Sequence, residues 1–359
     1  MKKIAALCLA FCLLLCGCAN LFDGSYVSVT PHKGQINRPI SQTAYAQNYS
    51  QLCQVLEDIV HSGTTESLIS AAGYYEAELA EDVERAVISL LAEDPIAAYA
   101  VKEINYEIGT TQSRPAVVVM VSYTHDRTEI QKIQTISKEE DAKAIIAAEM
   151  GRYSTGVVLY GNEIGDMDYT QWVEDYGSEH PETMMEIPEV TINLYPENGP
   201  EQVVELKFHY QNSREVIREM QEKVETIFTA AALHASGGQD DRAKYTRLYA
   251  LLMESFESYT LETSITPAYS LLIYGVGDSK AFADVYSAMC RQLGLECITI
   301  GGTRMGEAWH WNMVKVDGVY YHLDLLGSHR SGGFQLHTDD RMSGYVWDYS
   351  AYPIDGVSN

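Results

Sequence analysis

The sequence predicts an α+β protein with two domains, and three observations carry this prediction. The chain has 359 residues, 46% of them hydrophobic, which is more than one ordinary domain needs. Amphipathic helical segments are mixed with strand-like runs rich in Val, Ile and Tyr. In the last third of the chain, a buried helix is followed directly by a hairpin. We divide the chain into a leader (1–17), a linker (18–41), an α+β N-terminal domain (42–211) and a C-terminal domain (212–359).

The first eighteen residues are read as a targeting segment. Lys2 and Lys3 precede an apolar stretch from Ile4 to Leu15, which is short for a membrane span. The sequence then reads Leu-Cys-Gly-Cys and ends at Cys18, which resembles a bacterial lipoprotein signal. That resemblance implies cleavage before Cys18, acylation of its thiol, and an anchor on the extracytoplasmic side of a bacterial cell membrane. An ordinary secretory signal and an uncleaved helix are the alternatives.

Charge and cysteine content restrict the partners. Lys and Arg number 25 against 50 Asp and Glu, a net charge of −25 that becomes −27 once the leader and its two lysines are removed. Such a chain is not expected to bind nucleic acid or to dock electrostatically on anionic lipid. After removal of the leader and acylation of Cys18, three cysteines remain, Cys53, Cys290 and Cys297. Their spacing gives no metal motif and no disulfide framework, although a Cys290–Cys297 bridge is conceivable.

The N-terminal domain shows alternating helix and strand signals. Acidic residues begin the second helix, and residues 137–140 read as a capping box. Asp166 and Asp168 lie in an acidic, aromatic segment, where a solvated loop or short helix is favoured over a calcium site. The predicted elements are helices 45–60, 77–91 and 137–150, strands 100–108, 116–122 and 157–160, and a hairpin of 189–195 with 202–210.

The C-terminal domain is predicted to place a buried helix against a small antiparallel sheet. Its first helix, 213–233, is capped by Ser213. Apolar residues at i, i+3 and i+4 mark the core helix, and Asp317-Gly318 marks a tight turn. The further predicted elements are helices 242–259 and 279–293 and strands 297–301, 308–316 and 319–325.

Three motifs of this domain resemble the transglutaminase-like branch of the papain-type cysteine hydrolases. They are the turn Tyr274–Ser279, the W-H-W-N run Trp309–Asn312 and the segment Tyr320–Asp324. The tail from Gly332 to Pro353 is similar to clostridial members, and the resemblance spans 210–353. It implies a nucleophile at the start of the core helix, a histidine base on the strand that contains the second motif, and an aspartate on the next strand that orients the base.

Two of the three catalytic identities are changed. Ser279 stands at the cysteine position and Trp309 at the histidine position, while Asp324 is kept. A serine hydroxyl needs an aligned base, unlike a thiol at a helix N-terminus. Because side chains alternate along a strand, Trp309 and Trp311 are predicted on one face and His310 and Asn312 on the other, with His310 directed away from Ser279. A β-bulge before Trp311 could turn His310 back.

These changes predict a domain that binds rather than cuts, with a groove at Trp309, Trp311 and Asn312. Expected partners are peptides, cell-wall material or an envelope protein, and no cofactor is expected. In the plain interpretation, Ser279 is a helix cap and His310 is structural. The enzyme alternative is a hydrolase or acyltransferase using Ser279, His310 and Asp324 as a triad; a third alternative is a structural spacer.

A metal site in the C-terminal domain is not predicted. Four histidines and three aspartates occur late in the chain, but their spacings match no ligand template. These residues are His310, His322, His329, His337, Asp324, Asp339 and Asp340.

Overall fold

The computed structural model describes residues 28–30, 34–36, 39–40, 42–258 and 266–352. It confirms the α+β class. The leader and Cys18 lie outside the described residues, and within the predicted linker Ser28–Thr30 forms a short strand. In the described ranges, no helix is long and apolar enough to cross a membrane.

The first sheet has five strands in the order β1-β4-β5-β3-β2. Its long hairpin, β4 with β5, turns at Gln112 and Ser113, both with positive φ, as a two-residue tight turn requires. Helices α1 and α2 and this sheet share one apolar core that includes Leu52, Leu79 and Ile104. The elements are β1 Ser28–Thr30, β2 Thr43–Tyr45, α1 Tyr49–His61, β3 Glu66–Ser70, α2 Glu76–Glu93, α3 Pro95–Ala100, β4 Val101–Thr111 and β5 Arg114–Tyr123.

The second sheet has four strands in the order β6-β7-β9-β8, and it contains the predicted hairpin of β8 and β9. The structure corrects one local prediction in this region and decides between the two alternatives of another. The predicted capping box is not formed, because α5 begins at Glu139 and its cap, Lys138, makes no side-chain bond. The acidic segment forms a helix, α6, capped by Asp168. The elements are α4 Arg127–Ile130, β6 Gln134–Thr135, α5 Glu139–Gly151, β7 Gly156–Asn162, α6 Tyr169–Glu179, β8 Glu189–Tyr195 and β9 Glu201–His209.

The rest of the chain packs helices against a four-stranded antiparallel sheet in the order β14-β13-β12-β15. Helix α10 is buried almost throughout its length. The elements are α7 Arg214–Ser236, α8 Asp241–Ser255, β10 Glu257–Ser258, α9 Pro267–Tyr269, a π-helix Ser270–Tyr274, β11 Val276–Gly277, α10 Ser279–Gln292, β12 Cys297–Arg304, β13 Glu307–Val316, β14 Val319–Leu323, α11 Leu325–Arg330, a 3-10 helix Asp339–Arg341 and β15 Tyr345–Trp347.

Two compact units make up the chain. One takes in the residues up to 137 together with 158–166 and 192–205, and the other takes in 138–157, 167–191 and 206 onward. The three motifs that carry the family resemblance, 274–279, 309–312 and 320–324, all lie in the second unit. The predicted domain limits at 41 and 211 stay predictions.

Candidate functional site

The core helix α10 starts from a tight turn that its sequence makes possible. Gly275 has a φ of 79°, a left-handed conformation that glycine adopts readily. At Gly277, an added Cβ would lie 2.9 Å from the Cβ of Ala281, so the backbone approaches the helix closely. Asp278 caps the helix, since its Oδ1 accepts a hydrogen bond from the Ala281 N–H at 2.9 Å. The cap is therefore Asp278, and Ser279 is the first helical residue.

The hydroxyl of Ser279 is held by the backbone of strand β13. Its Oγ accepts a hydrogen bond from the backbone N–H of His310 at 3.2 Å, and the residue is only 9% exposed. In the described part of the chain, no side-chain hydrogen bond joins Ser279 to the imidazole of His310. Without an aligned base, a serine hydroxyl stays protonated and is a weak nucleophile.

His310 lies on the face of strand β13 that packs against the core helix α10. It shares this face with Asn312, whose Nδ2 donates to the carbonyl of Ala283 in the helix at 2.9 Å. Burial and the nearby Lys280 lower the pKa of His310, while Asp278 opposes them. The predicted separation of faces is correct. The expectation that His310 is directed away from Ser279 is wrong, because the helix that begins at Ser279 covers the face of His310 and Asn312. Alternation fixes which residues share a face but not which face the helix covers.

Trp309 occupies the position that the resemblance gives to a histidine base. Its indole Nε1 donates a hydrogen bond to Oδ2 of Asp324 at 3.1 Å. The indole thus makes the contact with the aspartate that an imidazole would make. An indole N–H is a donor only, so it cannot accept a proton from a nucleophile.

Asp324 is buried, and both of its carboxylate oxygens are engaged. Oδ1 accepts from the backbone N–H of Gly327 at 2.9 Å and so caps helix α11. Oδ2 also accepts from the hydroxyl of Tyr345, and Arg304 lies 3.4 Å away. Burial, followed by this hydrogen bond, raises the pKa of Tyr345. The aspartate therefore holds together an indole, a phenol, a guanidinium and a helix end.

A family model supports the resemblance independently of these contacts. Residues 229–325 match the model of the Transglutaminase-like superfamily. This segment is a transglutaminase-like domain. It contains α10, β12, β13 and Asp324, and thus all three positions at which the resemblance places catalytic groups. A comparison with curated proteins gives no match.

The comparison with solved structures finds matches of low sequence identity. A crystal structure described as a TGase is 9% identical, with a TM-score of 0.28, over 63% of this chain and 68% of that one. A proposed cysteine protease from Cytophaga hutchinsonii is 11% identical, with a TM-score of 0.27, over 44% and 70%. A proposed protease from Parabacteroides distasonis is 8% identical, with a TM-score of 0.24, over 60% and 47%.

Two arginines that the sequence analysis did not single out flank Trp309 in the transglutaminase-like domain. The guanidinium carbons of Arg304 and Arg330 lie 5.3 and 5.6 Å from its ring centroid. Arg330 is exposed, and it also lines a cavity of about 400 Å³. No sequence signal links these residues to Trp309, because Arg304 ends strand β12, Arg330 ends helix α11, and only the fold brings the two ends together. The cavity lining includes Met253, Glu254, Phe256, Phe282 and Leu326.

The three residues predicted for the groove differ in exposure. Trp309 is half-buried, whereas Trp311 and Asn312 are completely buried. Trp311 donates through Nε1 to Nδ1 of His322 at 2.9 Å, and His322 Nε2 lies 2.7 Å from Asp339. Strand β13 is thus covered on both faces, and of the three only Trp309 can reach a ligand.

Proposed function

We propose that the transglutaminase-like domain binds a partner without cleaving it. The observation that carries this proposal is the hydrogen bond from Trp309 to Asp324. The carboxylate that would orient a histidine base accepts instead from an indole, and an indole cannot act as a base. The hydroxyl of Ser279 is occupied by a backbone amide. Both features are expected of a domain that keeps the fold of an enzyme without its catalytic groups.

The surroundings of Trp309 favour a ligand with an apolar group and a carboxylate. Phe282 and Leu326 give the neighbouring cavity apolar walls, and Arg330 brings an exposed positive charge to its edge in a strongly acidic chain. A guanidinium beside an aromatic face is well suited to a carboxylate. We therefore propose a peptide segment as partner, from an envelope protein or from cell-wall material.

Immobilised peptide libraries that vary one apolar and one acidic position test this proposal. The wild-type chain should select peptides that have both groups. Arg330→Ala should weaken binding about tenfold or more, since a charge-assisted hydrogen bond contributes about 1.5–3 kcal/mol. Arg341→Ala, at another exposed arginine, is the matched control. Selection of no peptide, or equal losses in both variants, would contradict the proposal.

A serine hydrolase is the second candidate, and the environment of His310 favours it. Its lowered pKa keeps the imidazole neutral near pH 7, the form that a general base requires. This residue also faces the helix that begins with Ser279. Asp324, however, accepts a hydrogen bond from Trp309, so of the predicted triad only Ser279 and His310 remain for this chemistry.

A fluorophosphonate probe separates the two candidates. If the domain only binds, wild-type protein and Ser279→Ala should both remain unlabelled. Labelling at Ser279 in the wild type that His310→Ala abolishes would establish the hydrolase and refute the binding-only proposal.

We further propose that Cys18 is acylated and holds the chain at the extracytoplasmic side of a bacterial membrane. The lipoprotein-like leader supports this, and the acidic chain makes electrostatic docking on anionic lipid unfavourable. Cys18→Ala should prevent incorporation of labelled palmitate and release the chain or leave a precursor. Cys53→Ala should change neither result. Undiminished labelling of Cys18→Ala would overturn the proposal.

A further inference from the structure

A cluster of ligand-capable side chains lies in the first unit. Glu57 and His61 are four residues apart on α1 and therefore share a helix face. Asp94 lies in the connection between α2 and α3. One ligand atom from each of these side chains lies within 4.8 Å of the other two. Across the described ranges, this is the one such grouping of three or more His, Cys, Asp or Glu side chains.

Two of the three groups already have the separation that a shared ion needs. Nε2 of His61 is 2.9 Å from Oδ2 of Asp94. Metal bonds of about 2.0–2.2 Å place neighbouring ligand atoms about 3 Å apart. The other oxygen of Asp94, Oδ1, accepts the N–H of Ala97 at 2.6 Å and caps α3. The backbone therefore fixes the carboxylate while Oδ2 stays directed at His61.

The charges of the cluster do not balance without a cation. Glu57 and Asp94 each supply a carboxylate, whereas His61 can ligate a metal only as a neutral imidazole. The two carboxylates then contribute two negative charges, which is the charge that one divalent ion neutralises.

We propose that Glu57, His61 and Asp94 form a binding site for a divalent transition-metal ion, with Zn²⁺ as the best match. One imidazole nitrogen and two carboxylate oxygens form a donor set that Zn²⁺ accepts, and the half-buried position leaves room for water as a further ligand. A bound ion would connect α1 to the start of α3. This site is independent of the function proposed for the transglutaminase-like domain.

Titration of the metal-free full-length chain with Co²⁺, followed by competition with Zn²⁺, tests the site. Cobalt absorption should appear at one ion per chain, without the charge-transfer band that a thiolate ligand would add. Loss of an outer-shell partner alone costs about 10–100-fold in metal affinity, so loss of a direct ligand should cost at least as much. We expect this loss in each of three variants, Glu57→Gln, His61→Gln and Asp94→Asn. Asparagine at position 94 keeps the helix cap, so this variant should fold normally.

The matched control is a histidine and glutamate pair that lacks a third ligand. His125 and Glu129 are also four residues apart, with Nδ1 and Oε1 separated by 3.5 Å. His125→Gln should leave the affinity unchanged. The proposal is overturned if the wild type binds no Co²⁺ stoichiometrically, if His61→Gln binds as tightly as wild type, or if His125→Gln weakens binding as much as His61→Gln.

Discussion

Asp324 offers the sharpest test of a structural rather than catalytic role. We predict that Asp324→Ala lowers the free energy of unfolding of the transglutaminase-like domain by about 3–5 kcal/mol, the usual cost of breaking a buried ion pair. Asp324 is 3% exposed, and its carboxylate accepts hydrogen bonds from Trp309, Gly327 and Tyr345 and pairs with Arg304. Each bond to a charged group contributes about 1.5–3 kcal/mol, and the loss of the carboxylate leaves buried donors without a partner.

Urea denaturation followed by tryptophan fluorescence measures this loss. All four tryptophans, Trp172, Trp309, Trp311 and Trp347, lie in the second unit, so the signal reports on the unit that contains the domain. Asp324→Asn keeps an acceptor for the cap and should lose less, about 1–3 kcal/mol. Asp340→Ala, at an exposed carboxylate, should stay within about 0.5 kcal/mol of wild type. A loss below about 1 kcal/mol in Asp324→Ala would refute the reasoning, because a catalytic carboxylate need not stabilise the fold.

Two further predictions concern the same domain. Burial raises the pKa of Asp284 from 3.8 to about 6, so the folded state holds this proton more tightly than the unfolded state does. The free energy of unfolding should therefore decrease as the pH rises from about 4 to about 6. Asp284→Asn should remove this decrease and stabilise the domain at pH 7 by up to about 3 kcal/mol in urea titrations; an unchanged pH profile would contradict this. Gly302→Ala should cost about 1–3 kcal/mol, because its Cβ would lie 2.3 Å from the Val346 carbonyl. Gly301→Ala, which meets His310 at an ordinary 3.5 Å, should cost much less, and equal midpoints would contradict the packing.

Local sequence signals predicted the main elements of the domain well. The apolar period of 279–293 corresponds to α10 at Ser279–Gln292, and the turn at Asp317-Gly318 has the expected positive φ at both residues. These features depend on neighbouring residues, so a sequence pattern contains the necessary information. The boundaries were less accurate, since the helix predicted to end at 259 ends at Ser255.

The contacts that define the site could not be read from the sequence. Tyr345 reaches Asp324 from 21 residues away, and His61 meets Asp94 across 33 residues. Spacing rules describe single helices and strands, whereas these pairs depend on how elements pack. The burial of Trp311 was missed for the same reason, because alternation cannot show that both faces of a strand are covered.

The most direct test of the central claim is to rebuild the lost chemistry and measure acylation at position 279. Ser279→Cys alone should react only slightly faster than an ordinary thiol with a thiol-reactive acyl probe, through the helix N-terminus. Adding Trp309→His places an imidazole beside Asp324 and should accelerate acylation by about 10²-fold or more, as general-base catalysis typically does. Ser279→Cys with Trp309→Phe controls for the space that loss of the indole opens, and mass spectrometry of the peptide that contains residue 279 separates this thiol from the native cysteines. If the histidine and phenylalanine double variants acylate at the same rate and both remain folded, Trp309 does not occupy the position of the base, and the account is wrong.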